Sequence, residues 1–268
     1  MRIQDDSVSD KLILIQIEVL FMKLSEISHI LEKIAPSELA EDFDHGKIGP
    51  VIDLGNEINK IAVSLDATDY VLKRAAEIEA DLLIVHHTPI FTPITSIKEA
   101  LAEKIRIALE NEISIYVMHT NYDKAEGGVN DVLAKKLGLT HIEKLDMGRI
   151  GTIPRSSSIS LAKHVSKCLD TPIQYVGERE DIKRVMTIAG SGFKEPYIQV
   201  AREKNVDAVI SGELKHSVIR EYEDMVLIDA THYATENPAM KELSSKLKEK
   251  IDIDIEFIDH NPFIRFTE

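Results

Sequence analysis

Tryptophan is absent from the 268 residues, and all aromatics together make up only 5%. A base-stacking platform of the kind that single-strand nucleic-acid binders build is thereby disfavoured. Positive charge is also in deficit: 32 Lys and Arg face 46 Asp and Glu, a net charge of −14 at neutral pH. Nucleic acids and anionic membranes are bound through concentrated Lys and Arg, so the chain argues against both as partners. The one cysteine, Cys168, excludes an internal disulfide and fits a reducing cytoplasm. Long apolar runs are missing too. Residues 12–21 are mostly apolar, but Gln16 and Glu18 interrupt them and the charged flank is acidic. That stretch is too short to span a bilayer and lacks the basic start of a secretory leader, so no membrane is expected.

What remains is a chain long enough to bury a real core, with 44% apolar and 29% charged residues. After residues 1–21, which read as an N-terminal extension, apolar residues recur at 24, 27, 30, 31 and 34 with helical spacing, and Pro36 stops the run. Residues 37–59 carry Gly46, Gly49, Pro50 and Gly55 and read as loop with one short strand. From residue 60 strand and helix alternate. Strand 60–66, a helix 69–79 capped by Thr68, strand 81–85, helix 98–111, strand 113–118 and a helix from Gly128 to Gly138 follow in turn. The alternation predicts an α/β fold with a largely parallel sheet.

The second half repeats this. Residues 201–211 align with 75–85 at an offset of 126, and Gly212-Glu213 then falls where His86-His87 stood. Strand 226–229 leads to His232-Tyr-Ala-Thr-Glu236, which matches His119-Thr-Asn-Tyr-Asp123 at an offset of 113. A helix is expected after each, at 127–138 and 238–250. Two matches in the same order predict an internal duplication, with one lobe at 22–140 and a second at 141–268.

His86, His87, Asp123, His232 and Glu236 all fall at the ends of predicted strands, where open α/β sheets bind ligands. His232 and Glu236, four apart, share a helix face. Three imidazoles and two carboxylates without a thiolate suit Zn, Mn, Fe, Co or Ni rather than a cysteine-type structural zinc site. Five donors exceed the three of a usual mononuclear catalytic site, and two ions sharing a carboxylate is the economical reading. Each residue also has a structural alternative: a buried hydrogen-bonded histidine, a surface helix pair, or a loop-capping aspartate.

From Met22 onward the chain resembles the Nif-three-like family, the dinuclear-metal-centre proteins labelled GTP cyclohydrolase 1 type 2. The resemblance is carried by Met22-Lys-Leu-Ser-Glu-Ile, Ile34-Ala-Pro36 with Ala40-Glu-Asp-Phe-Asp44, and Val85-His-His87. Further matches are His119-Thr-Asn-Tyr-Asp123 with Gly127-Gly-Val-Asn-Asp131, and Ile228-Asp-Ala-Thr-His-Tyr-Ala-Thr-Glu236. It implies two related α/β lobes forming one domain over 22–268, in the short form without an inserted domain. It also implies a homohexameric toroid built as a trimer of dimers, and two divalent ions per subunit. The family's ligands map onto His86, His87, Asp123, His232 and Glu236, and His119 matches a family histidine near the metals, which implies a role either behind the ligands or in proton transfer. Two positions depart from the pattern. Asp44-His45-Gly46-Lys47-Ile48 replaces an Asp-Asn-Val-Gly-Leu turn, and Thr231 stands where a Gly usually precedes His232.

The expected function is metal-dependent hydrolysis, by resemblance the opening of the guanine imidazole ring of GTP with release of formate. Alternatives are another amide or phosphoester substrate, or a ring-shaped metal-binding regulatory scaffold without catalysis. For phosphate recognition, Lys215 and His216 stand after the Gly212-Glu213 strand end.

Overall fold

The computed structural model describes residues 21–265. The expected extension, but for Phe21, lies outside the described residues. Among the described residues, the first part of the chain contributes β1 (Met22–Lys23), α1 (Leu24–Ile34), β2 (Gly49–Ile52), β3 (Glu57–Ile58) and β4 (Lys60–Asp66). It continues with α2 (Asp69–Glu77), β5 (Leu82–His87), α3 (Glu99–Glu110), β6 (Ser114–Val117), α4 (Thr120–Lys124) and α5 (Val129–Lys136). Next come β7 (Thr140–Lys144), β8 (Arg149–Ser156), α6 (Ser158–Leu169), β9 (Gln174–Val176), β10 (Ile182–Thr187) and α7 (Glu195–Glu203). The chain closes with β11 (Ala208–Ser211), α8 (His216–Glu221), β12 (Val226–Asp229), α9 (His232–Lys248) and β13 (Asp254–Phe257).

The strands form two mixed sheets and a small β1-β3 ribbon. The first sheet runs β13-β4-β5-β6-β2, and the second β7-β8-β10-β11-β12-β9. In the first, β13, β4, β5 and β6 are parallel and β2 is antiparallel at the edge. In the second, only β10, β11 and β12 are parallel, flanked by antiparallel β8 and β9. The segments 22–140 and 141–268 are therefore not the two sheets, because β13 returns to pair with β4.

Why the sheets face each other follows from their alternation. On β5, Leu82 and Ile84 enter a shared core with α1, α5, α6 and α9, while Leu83 and Val85 pack with Val71 and Leu72 of α2 and Ile107 of α3. On the second sheet, Val185 and Ile210 face the same shared core, and Met186 and Val209 pack under α7. Helices α5 and α9 thus lie between the sheets. A strand buried on both faces reads as a continuous apolar run, which is how β5 and β11 look in the sequence.

The start of α9 departs from the sequence pattern. It begins at His232, six residues before the expected start, and carries Pro238 inside it. Proline lacks the N–H for the preceding turn, so the sequence signal pointed to a boundary where the helix runs through. Ahead of it, Thr231 has φ 65° and ψ 150°, a region that glycine alone enters freely. Its hydroxyl accepts from the Ala234 N–H at 3.3 Å, a helix cap that offsets part of the strain. Such strain costs on the order of 1–3 kcal/mol, against a few tenths for losing the cap to glycine. Thr231→Gly is therefore expected to raise the melting temperature by about 2–4 °C. Unchanged or lower stability in thermal melts would show that the cap outweighs the backbone.

Candidate metal centre

Each of the five donors reaches the cluster from a different local rule. His86 and His87 lie inside β5, which extends two residues beyond the expected strand because Asp66 pairs with His87 in register. Asp123 sits in α4, a five-residue helix that His119 opens. His232 and Glu236 occupy the first turns of α9, one helical turn apart on one face.

The structure brings all five together. His86 Nε2 is 3.6 Å from Asp123 Oδ1 and 3.8 Å from Glu236 Oε1. Glu236 Oε2 is 3.1 Å from His87 Nε2 and 3.0 Å from His232 Nε2, and those two nitrogens are 3.2 Å apart. Three donor groups result: His86 with Asp123 and Glu236, His87 with His232 and Glu236, and His86 and His87 with His119. Glu236 belongs to the first two.

All three rings are held by their other nitrogen. Nδ1 of His86 bonds the Met118 carbonyl at 2.7 Å, that of His87 the Asp66 carboxylate at 2.7 Å, and that of His232 Glu213 Oε1 at 2.6 Å. An acceptor at Nδ1 keeps the proton there and leaves a lone pair on Nε2, the arrangement found behind metal-ligating histidines. Buried polar atoms normally find hydrogen-bond partners, yet His86 Nε2 and Asp123 Oδ1 have none, and Glu236 Oε2 has beside it only the Nε2 atoms of His87 and His232. Inward-facing lone pairs and carboxylate oxygens need positive charge between them. These residues could hold a metal ion, and the unpartnered atoms fit one.

Without an ion, protons supply that charge. Burial lowers the affinity of His87 for a proton, but the Asp66 and Glu236 carboxylates more than reverse this and raise its pKa to about 10. His232 rises to about 9 for the same reason, with Glu236 and Glu213 as its partners. His86, fully buried, is pushed down to about 3 by desolvation. Burial alone would raise Glu236, but the surrounding imidazoles of His86, His232 and His87 hold it well below the usual range. Asp123 goes the other way, raised by burial and by the charge of Glu236.

Close packing protects this geometry. A Cβ at Gly190 would fall 2.0 Å from Glu236 Oε1, and one at Gly212 would fall 2.6 Å from the His232 nitrogen. Asn130 ties the loop carrying Asp123 to the second sheet, donating to the Asp123 carbonyl and accepting from Ala189 N–H. One residue on, Asp131 pairs with the wholly buried Arg149 of β8. The Gly127-to-Asp131 motif is therefore a bracket between the sheets.

A cleft of about 440 Å³ opens onto the cluster, lined among others by Phe43, Phe91, His119, Lys194 and Tyr197. His119 lies beside the donors, its ring centre 5.1 Å from that of His86. Its Nδ1 bonds Asp44 Oδ2 at 2.7 Å, and Asp44 is fully buried. Burial works against the Asp44 charge, but hydrogen bonds from His119 and Thr120 keep its carboxyl below the usual range. Asp44, Asp66 and Glu213 were not singled out as site residues, since acidic residues in loops and at strand ends have no distinctive spacing. Glu213 had one available signal, its alignment with His87 in the repeat. Lys215 and His216 do not line the cleft; they open α8 instead.

A family model, Duf34/NIF3 (NGG1p interacting factor 3), matches residues 22–262. The chain belongs to this family. A "GTP cyclohydrolase 1 type 2 homolog" of Clostridium perfringens is 32% identical over 254 residues, covering 88% of this chain and 95% of that protein. A Methanocaldococcus jannaschii protein of the same description is 31% identical over 247 residues, covering 89% and 100%. Among solved structures, reduced HcgD from M. jannaschii superimposes with a TM-score of 0.81 at 30% identity, covering 91% and 100%. A Staphylococcus aureus hypothetical protein of this fold gives 0.84 at 27% identity, covering 91% and 99%. As a Duf34/NIF3 member the chain has the mixed α/β architecture expected of it, and no described helix is long and apolar enough to cross a membrane.

Proposed function

We propose that this chain is a hydrolase using two divalent ions, one held by His86, Asp123 and Glu236, the other by His87, His232 and Glu236. The observation that carries the reading is the convergence of three Nε2 atoms on the buried carboxylates of Asp123 and Glu236, with His86 Nε2 and Asp123 Oδ1 left without a hydrogen-bond partner. Divalent ions in such a site supply Lewis acidity and lower the pKa of water from 15.7 to ~7. The protein's own part is to exclude bulk water and to move protons. With Nδ1 donating to Asp44, His119 presents Nε2 to the cleft, where it takes a proton from the attacking water or gives one to the leaving nitrogen. The names of the similar proteins favour a guanine nucleotide, with one water attacking C8 and opening the imidazole ring to a formamide, and a second water cleaving the remaining C8–N bond to release formate. We further read the sheets as one duplicated unit. Strand order β4-β5-β6 matches β10-β11-β12, and each set gains an antiparallel edge strand from just upstream. A homohexamer in the cytoplasm completes the proposal, supported by the family and by the lone cysteine.

The test measures metal per chain and formate released from GTP. Wild type should retain two ions and release formate; two ions without formate would remove GTP as substrate. Asp44→Asn should keep both ions and lower kcat ~10²-fold or more, the scale of a lost general acid or base. If Asp44→Asn lost its ions instead, His119 would belong to the metal scaffold rather than to proton transfer.

A further inference from the structure

The mouth of the cleft carries a second arrangement that the metal chemistry does not use. Phe43 and Phe91 are large apolar residues left 48% and 50% exposed, with ring centres 6.2 Å apart and planes tilted by 45°. Both rings meet His119 edge-on at 6.4 Å, so they stand directly beside the proposed proton-transfer group. The Nζ of Lys47 lies 4.1 Å over the Phe91 ring and 5.7 Å from that of Phe43. Charge at this mouth is otherwise settled: Glu41 is taken by Lys124, and Asp123 and Glu236 belong to the cluster. Among the described residues, Lys47 and Lys194 form no ion pair; Lys194 lines the cleft, and Lys47 lies over the Phe91 ring at its edge.

We propose that Phe43, Phe91 and Lys47 form a subsite for a planar heterocycle bearing an anionic group, with Lys47 as the residue that reads the charge. The inference rests on the cleft being the substrate site of the proposed hydrolase. An aromatic face half open to solvent gains by covering itself with a flat ring, and offset or edge-on contacts suit a pair tilted by 45°. At 6.2 Å the two rings leave no room for a ring between them, so the ligand lies against the cleft side of the pair. An ammonium over an exposed ring is only weakly held. A phosphate or carboxylate forms a stronger, charge-assisted bond, so Lys47 exchanges the ring face for the anion. Lys47 and Asp44 share one turn, in which the Lys47 N–H donates to the Asp44 carbonyl at 2.9 Å. One short stretch of this chain thus supplies both the partner of His119 and the charge reader.

The test is equilibrium binding to the metal-loaded protein, read without turnover, of three matched pairs: FMN and riboflavin, GMP and guanosine, AMP and adenosine. At least one phosphorylated probe is expected to bind about tenfold tighter than its dephosphorylated partner, the scale of one hydrogen bond to a charged group. Lys47→Met should erase that preference and Lys47→Arg restore it, while Phe91→Ala weakens both members of the pair. Because Lys47→Met keeps the stem of the side chain, its metal content should match wild type. No binding in any pair, equal affinity within every pair, or a preference that survives Lys47→Met would overturn the assignment. Each of these outcomes is independent of whether formate is released.

Discussion

Glu236→Gln is expected to strip metal from both of its donor groups at once, and Asp123→Asn from only one. Glu236 Oε1 faces His86, and Oε2 faces His87 and His232, so one carboxylate closes both groups. The amide keeps the shape but loses the charge and one of the two acceptor oxygens. The loss in affinity should exceed the 10–100-fold typical of removing an outer partner of a ligand. Metal per chain after dialysis should fall from two to near zero in Glu236→Gln, and from two to one in Asp123→Asn. Equal partial losses in both variants would sink the shared-carboxylate reading. The metal-free proteins should behave in the opposite sense. The Asp123 carboxyl is raised by burial and by Glu236, so the folded state binds its proton more tightly than the unfolded chain does. Stability tied to Asp123 is then present at acid pH and lost as pH climbs from the unfolded value of 3.8 through the raised one. Asn carries no such cost. Metal-free Asp123→Asn should melt a few degrees above metal-free wild type at alkaline pH, for ~1–2 kcal/mol relieved. A site that binds ions more weakly but folds more stably without them is the signature of residues kept for function.

Metal affinity should keep rising with pH well beyond the range in which an ordinary histidine site levels off. In the metal-free protein His87 titrates at about 10 and His232 at about 9, so at neutral pH both carry the proton that an ion must displace. The sign is fixed by linkage. A raised imidazole contributes stability fully present below its ordinary value of 6.5 and lost as pH rises through about 9 to 10. Over that same window proton competition against the metal disappears. With two protons displaced, apparent affinity rises by up to ~100-fold per pH unit above neutrality. Competition against a chelator of known proton affinity, run from neutral pH to the upper pKa, measures the slope. A flat profile from neutrality upward would show that the imidazoles are already free of protons. Calorimetry in buffers of different ionisation enthalpy gives the proton count directly.

The positions of the five candidate residues at strand ends and helix starts were legible in the sequence because two periodic signals crossed. Apolar runs ending in polar residues marked the strand ends, and the spacing of four from His232 to Glu236 and from His119 to Asp123 marked helix faces. The same runs placed β4, α2, β11 and β12 within a residue or two of where they lie. Between residues 140 and 176, α6 carries helical spacing at Leu161, Ala162, Val165 and Leu169 behind a Ser157 cap, but the edge strands carry little signal. β7 is mostly polar and β9 only three residues long, and an edge strand is defined by its neighbour rather than by its own pattern. β13 is similar, its place beside β4 set by α9 rather than by its own four residues.

The sequence by itself determined which residue types could make a site and which strand ends would carry them. It determined this because strand and helix periodicity are local, and a side chain's direction follows from its neighbours in the chain. Tertiary structure alone decided that His86, His87 and Asp123 meet His232 and Glu236, since that contact crosses more than a hundred residues. It also decided the partners behind the three rings. Met118, Asp66 and Glu213 hold the three rings from separate elements, and Asp44 reaches His119 across 75 residues. Contacts of that kind depend on how two sheets pack against shared helices. No spacing rule within either sheet encodes them.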